Sequence, residues 1–470
     1  MRTVNSTAGA AAIPTGASAD HLAITRALED DLTIGILRRA LTLLAIGAQT
    51  VATAESSRDV LDMTHDDRWD VDQGTSLDVA VFGGAGHVGL PLSLSFVRAG
   101  LRVGVVDSDE GALERIERGE MPFMESGADA LLRECLKTGR LCLTSRPEVL
   151  QQATHVIVVI GTPIDKFLNP SLTLFEQTIT AMAPHLRDGA LIVLRSTVYP
   201  GTSLFVRELL ARLGRRVDVV FCPERIAEGK ALEELTTLPQ IIGADDPSAA
   251  ARADRLFEQL GLERIHVTTL EAELAKLFTN AWRYMKFAIA NQFFMIAHTA
   301  GVDYNNVLNA VRHNYPRAQD LPGPGFAAGP CLLKDTMQLA AFTTDHFPLG
   351  QSSMQVNEGL PAYIVAALER RCGSLQGRRI GILGMAFKAE SDDPRDSLSY
   401  KLRKLMSWTG AQVLCTDPYV RDAQLLPLET VLRESDILIL GAPHEAYQHL
   451  ATGGKDVVDV WGLLGSGIRL

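Results

Sequence analysis

Aromatic residues make up only 6% of this 470-residue chain, and basic residues are outnumbered, 45 against 56 acidic ones. The resulting net charge of −11 argues against a nucleic-acid surface and leaves room only for a local basic pocket. The 6 cysteines (Cys135, Cys142, Cys222, Cys331, Cys372 and Cys415) show neither C-x-x-C spacing nor paired histidines nearby. A secreted disulfide framework and a zinc module are therefore not expected, and no metal is assigned. Long hydrophobic runs are missing too. The most apolar early stretch, 40–54, falls short of the ~20 residues a membrane span needs, and Arg38 and Arg39 abut it. The opening residues lack the apolar centre of a signal peptide. A cytoplasmic protein without a membrane partner is the expectation.

Against these absences, 46% apolar and 21% charged residues describe a soluble globular chain, and its length predicts two or three domains. Residues 1–75 read as an extension: a small, polar segment, amphipathic helix within 21–54, and a polar linker at 66–75. From Leu77 the texture becomes α/β. The runs LDVAVFG, LRVGVVD, HVIVVIG, ALIVLRS and VDVVFCP are apolar without strict alternation and are separated by helical patterns. That predicts a parallel sheet covered on both faces, over 76–267. A long helix is expected over 271–300, burying Leu274, Leu277, Phe278, Ala281, Met285, Ala288, Ile289, Phe293 and Ile296 and stopped by Gly301. It opens a helical middle, 268–372, that serves as spine or dimer core.

A second α/β unit, 373–470, echoes the first. Gly100 and Asp107 frame one strand as Gly410 and Asp417 frame another, and THVIVVIGTP resembles SDILILGAPH. The predicted fold class is α/β, with two Rossmann-like doubly wound domains joined by a long central helix.

The sequence GAGHVG at 84–89 closes the first strand and opens a helix. Gly84 is read as the tight turn, Gly86 as the approach for a pyrophosphate, and Gly89 as the contact of helix with strand. An anion there meets the positive end of a helix. Asp107, ending the next strand, suits a ribose hydroxyl and disfavours a 2′-phosphate, so the cofactor is NAD rather than NADP. Further along, the segment GPGFAAGPCLLKD places Cys331 in a Gly/Pro-rich approach with Asp335 one helical turn later. This suits a nucleophile beside a base, or a buried structural cysteine.

From Leu77 onward the chain resembles the UDP-glucose/GDP-mannose dehydrogenase family. The matches run in the family's order: GAGHVG at 84–89, GTP at 161–163, STV at 196–198 with PGT at 200–202, CPER at 222–225 with EG at 228–229, KLFTN at 276–280, the Cys331 segment, then GMAFK at 384–388 with DPRDS at 393–397. The resemblance implies a fourfold electron transfer from C6 of a UDP-sugar. The alcohol becomes an aldehyde, Cys331 adds to it, the thiohemiacetal is oxidised to a thioester, and hydrolysis releases the uronic acid.

It further implies Lys276 as acid/base or oxyanion partner and Asn280 as a substrate-positioning residue. Thr197, Glu224 and Asp335 would hold and activate water. The cofactor would be met by Gly84, Gly86, His87, Val88, Gly89, Asp107, Thr162 and Thr197. The UDP-sugar substrate would be met by Arg225, Ile226, Glu228, Arg283, Arg317, Gly329, Lys388 and Arg395. A homodimer through the central helix is also implied.

Two departures stand out. His87 replaces the usual aromatic residue, and Ala327 and Ala328 replace paired glycines before Cys331. Signals for the sugar are mixed. CPER, Arg283 and Arg317 favour a UDP-N-acetylhexosamine, whereas Lys334 with Asp335 and the residues after Glu228 favour UDP-glucose. A two-electron dehydrogenase needs no thiol, and a nucleotide-sensing scaffold needs neither Cys331 nor Lys276.

Overall fold

The computed structural model describes residues 76–464 apart from 163, 166, 167, 169, 344 and 345. The helices expected within 21–54 and the linker at 66–75 lie outside the described residues.

Each predicted apolar run forms a strand: β1 (Leu77–Phe82), β2 (Val103–Val106), β4 (Ala153–Val158), β5 (Leu191–Leu194) and β6 (Asp218–Phe221). Four shorter or more polar strands, unmarked in the sequence reading, complete the two sheets: β3 (Leu141–Thr144), β7 (Gln240–Gly243), β8 (Arg264–Val267) and, in the second unit, β12 (Asp456–Val458). The first sheet has the order β3-β2-β1-β4-β5-β6-β7-β8. It is parallel except where β7 meets β6 through the single antiparallel pair Phe221 and Gly243.

Alternate residues of one strand enter different cores, which is why the runs read as continuously apolar. Val79 and Val81 pack with the helix Gly89–Arg98 on one face, while Ala80 packs with Phe175 and Ile179 on the other. The order in which strands are added to the sheet reverses beside β1, flanked by β2 and β4. In open α/β sheets such a reversal is where ligands bind, at the carboxyl ends of the strands.

The second sheet, β10-β9-β11-β12, uses β9 (Arg379–Leu383), β10 (Gln412–Thr416) and β11 (Ile437–Leu440), all parallel. The echo seen in the sequence is a repeated architecture, since β10-β9-β11 follows the order β2-β1-β4. Asp107 accepts from the Ala85 amide at 2.9 Å, and Asp417 accepts from the Met385 and Ala386 amides at 2.6 and 3.0 Å. Each carboxylate thus holds the loop that follows the first strand of its own unit.

Between them runs the central helix, Thr269–Thr299. Thr268 and Glu271 form a reciprocal capping box at its start, and Gly301, at φ 71°, ends it. Its buried face corrects the sequence reading. Ala272, Glu273, Lys276, Leu277, Asn280, Ala281, Tyr284, Ala288, Asn291, Phe294 and Ala297 face inward, whereas Phe278, Ile289, Phe293 and Ile296 are exposed. The expected stripe mixed two faces because the inward one carries polar groups that apolar periodicity passes over.

Candidate active site

The glycine loop sits at the reversal beside β1. Gly83 adopts φ 77°, and a Cβ there would meet the Val159 carbonyl at 2.1 Å, so Gly83 makes the turn that the sequence reading gave to Gly84. Gly84 is required by contact instead, since its Cβ would lie 2.6 Å from the Val81 carbonyl. At Gly89 a Cβ would fall 2.6 Å from the Gly84 Cα, as expected where helix meets strand. At Gly86 a Cβ would meet nothing within 4 Å. That open space, at the start of the helix Gly89–Arg98 and beside Asp107, fits a dinucleotide pyrophosphate with its ribose.

Cys331 is presented by a loop gripped from several sides. The Gly325 amide donates to Asn291 Oδ1 at 2.8 Å, and Asn291 Nδ2 returns a bond to the Gly325 carbonyl at 3.0 Å. Phe326 packs edge-on against Trp461, Ala327 is buried, and the Gly329 amide donates to the Asp396 carbonyl at 3.3 Å. Gly329 holds φ 98°, and a Cβ on it would strike the Phe387 ring at 2.5 Å. The loop ends where Cys331 caps the helix Leu332–Phe342. Cys331 is exposed as a residue although its sulfur is closely surrounded, whereas Cys135, Cys142, Cys222 and Cys415 are buried.

On the central helix Lys276 and Asn280 point the same way, and both are buried. Asn280 Nδ2 donates to Asp335 Oδ2 at 2.5 Å, and Lys334 Nζ donates to Asp335 Oδ1 at 2.5 Å. Lys334 also reaches Thr162 Oγ1 at 3.3 Å, and that hydroxyl donates to the Thr197 carbonyl at 2.5 Å. Fully buried Asp335 therefore ties the central helix, the cysteine helix and the ends of β4 and β5 together.

Burial pushes the Lys276 ammonium below the ordinary lysine range, against the pull of Asp335, Cys331 and Glu224. Burial, with Asp335 beside it, pushes the Cys331 thiol up, while Lys334 and Lys276 draw it back.

The carboxylate of Glu224, the residue expected to activate water, is held by several groups. Arg195, 1% exposed, donates to Oε2 through Nε at 2.7 Å and forms an ion pair with it. The amides of Arg225 and Ile226 donate to Oε1 at 2.7 and 2.9 Å. Arg195 also holds the Cys222 carbonyl and Gln240 Oε1. Through these contacts Glu224 shapes the 222–226 loop.

A family model described as the NAD-binding domain of UDP-glucose/GDP-mannose dehydrogenases matches residues 77–261. The family's central-domain model matches 270–359, and its UDP-binding-domain model matches 381–465. The chain belongs to the UDP-glucose/GDP-mannose dehydrogenase family. UDP-N-acetyl-D-mannosamine dehydrogenase of Pyrococcus horikoshii is 32% identical over 383 residues, covering 79% of this chain and 90% of the relative. NDP-N-acetyl-D-galactosaminuronic acid dehydrogenase of Ralstonia solanacearum is 29% identical over 405 residues, covering 81% and 95%. Among solved structures, a UDP-glucose dehydrogenase of Pyrobaculum islandicum matches with a TM-score of 0.77 at 28% identity, covering 83% of this chain and 95% of that one. The protein is thus an NAD-dependent nucleotide-sugar dehydrogenase, an oxidoreductase.

The residues expected to meet the substrate are distributed unevenly. Glu228, Lys388 and Arg395 converge: Lys388 Nζ donates to the Glu228 carbonyl, and Arg395 NH2 lies 3.4 Å from Glu228 Oε1. Arg395 also holds Asp393 through Nε at 2.9 Å. Burial lowers the Lys388 pKa, and the Arg283 charge adds to that effect although Arg283 itself is exposed. Arg225 turns to the Pro239 carbonyl, with burial lowering its pKa. Arg317 is exposed and lies 5.6 Å above the Tyr315 ring.

Lys334 and Arg195 were not singled out from the sequence as site residues. Lys334 precedes a residue that was, and Arg195 is the lone charge ending an apolar strand. No helix among the described residues is long and apolar enough to cross a membrane.

Proposed function

We propose that this dehydrogenase oxidises C6 of a UDP-N-acetylhexosamine twice, through a thiohemiacetal and a thioester on Cys331. The reading is carried by one convergence: a thiol at a helix N-terminus, beside buried Lys276 and the Asp335–Lys334–Asn280 cluster. NAD, when bound, supplies the hydride acceptor. Every other requirement falls to side chains.

Loss of hydride from C6 must be matched by loss of the hydroxyl proton. Lys276, whose pKa burial lowers, is the group placed to take that proton. The Cys331 sulfur then bonds to the aldehyde carbon. The Lys276 ammonium and the amides at the start of the helix Leu332–Phe342 oppose the charge that develops on oxygen. Asn280, held by Asp335, presents its remaining polar groups to the sugar. Oxidation of the thiohemiacetal leaves a thioester, and water displaces the sulfur to release the uronate and restore the thiol. Asp335 acts by holding Lys334 and Asn280 in place.

The sugar preference follows the N-acetylhexosamine relatives and the CPER sequence at 222–225. UDP-glucose is the second reading, favoured by Lys334 paired with Asp335. NADH yield against UDP-ManNAc, UDP-GlcNAc, UDP-GalNAc and UDP-glucose separates them. Two NADH per sugar are expected, and one NADH with release of an aldehyde sinks the covalent route. Full double turnover by Cys331→Ser sinks the assignment of the thiol.

A homodimer is part of the same reading. Phe278, Trp282, Ile289, Phe293 and Ile296 leave an apolar stripe exposed along the central helix. A second copy would cover it.

A further inference from the structure

A cavity of about 340 Å³ opens at the far end of the central helix, between that helix, the helix Tyr304–Arg312 and the segment after β12. Phe294, on its wall, stands roughly 27 Å along the helix from Lys276. A nucleotide sugar with C6 at Lys276 is too short to reach it. The cavity is therefore separate from the site described above.

Two carboxylates line the cavity, Asp303 and Asp459, and among the described residues no lysine or arginine does. Asp303 caps the helix Tyr304–Arg312, its Oδ1 accepting from the Asn305 amide at 2.8 Å, which leaves Oδ2 to be met. Asp459, 3% exposed, accepts from the Gly462 and Leu464 amides at 2.8 Å each. Backbone amides thus hold both groups in place without cancelling their charge.

His298 adds a further acceptor to the wall. Its Nδ1 lies 2.7 Å from the Tyr363 hydroxyl, and that hydroxyl gives its hydrogen to the Met295 carbonyl at 3.2 Å. Nδ1 is then the donor, and Nε2 is left as the bare acceptor. Burial, with Arg370 beside it, lowers the His298 pKa and favours this uncharged ring. Phe294 and Tyr304, both buried and edge-on at 6.3 Å, supply the apolar part of the lining. Acceptors and negative charge without a cation disfavour a phosphate and favour a positive group, whose hydrogen bonds to carboxylates are the strong kind.

We propose that this cavity is a second binding site, for a small organic cation bearing an amine or guanidinium group. Pro324 and Val460 also line it. Pro324 precedes Gly325, which Asn291 grips, and Val460 precedes Trp461, which packs edge-on against Phe326. An occupant therefore touches both segments that hold the loop ahead of Cys331, and it steadies that loop when bound. The proposal rests on neither the sugar nor the thioester route, so either can fail alone.

The test is isothermal titration calorimetry of the full chain with agmatine, a short chain carrying a guanidinium at one end and an amine at the other. Saturable binding at a single site is expected. 4-Guanidinobutyrate, which has a carboxylate near the place of the amine, should bind wild type at least roughly tenfold more weakly, the worth of one charge-assisted hydrogen bond. Asp303→Asn should weaken agmatine by a similar factor while still folding, because asparagine caps a helix as well as aspartate does. Saturating UDP and NADH should leave agmatine binding in place. No saturable binding below about 10 mM, equal affinity for the two probes, an unchanged Asp303→Asn variant, or displacement by UDP or NADH each overturns the proposal. In hydrogen exchange the amides of 325–329 should gain protection when agmatine binds, and unchanged protection there refutes the link to the cysteine loop.

Discussion

Replacing Asp335 by asparagine removes a charge with almost no change in volume, and its two consequences should point in opposite directions. Asp335 is fully buried and accepts from Asn280 and Lys334 at 2.5 Å each. A hydrogen bond to a charged group is worth about 1.5–3 kcal/mol. At about 1.4 kcal/mol per tenfold, misorienting Lys334 or Asn280 corresponds to roughly 10- to 150-fold in kcat/KM. The thiol responds the other way. Asp335 helps to push the Cys331 pKa up, so its loss leaves more thiolate at neutral pH. NADH formation with a UDP-sugar should slow while iodoacetamide labels Cys331 faster, the first read by absorbance and the second by mass spectrometry of the peptide. A folded D335N variant with unchanged kcat/KM, or with slower alkylation, would refute the reasoning.

Gly86→Ala should leave thermal stability unchanged, because its Cβ meets nothing within 4 Å, yet weaken NADH binding. Gly89→Ala should lower the melting temperature itself, because its Cβ would sit 2.6 Å from the Gly84 Cα. Arg195→Met leaves Glu224 buried without its ion pair and should cost about 3–5 kcal/mol, measured by denaturant unfolding. For Lys276 the sign follows from a depressed folded pKa. Between that value and the ordinary lysine value the unfolded chain binds the extra proton, so stability should rise with pH across the window. Lys276→Met should flatten that rise. Phe293→Glu should shift the protein to monomer by light scattering without unfolding it, since Phe293 is 47% exposed.

The strands at 77–82, 103–106, 153–158, 191–194 and 218–221 were legible because a buried parallel sheet needs unbroken apolar runs. Asp107 and Asp417 were visible as repeated positions for the same reason, since both units build one local pattern of strand, loop and carboxylate. Periodicity failed on the central helix. Its inward face holds Glu273, Lys276, Asn280 and Asn291, polar groups whose partners lie on distant segments: Gly201 and Ser203 for Glu273, Asp335 for Asn280, and Gly325 for Asn291.

By itself, then, the sequence marked the glycine turns, the strand ends and the cysteine before a helix, because these are local patterns written in consecutive residues. Tertiary structure decided what each group is free to do. Glu224 is committed to Arg195, Asp335 to Lys334 and Asn280, and His87 is turned toward Glu228 and Asp393. Burial and pairing set the charge and availability of a side chain, and both are made by neighbours far away along the chain.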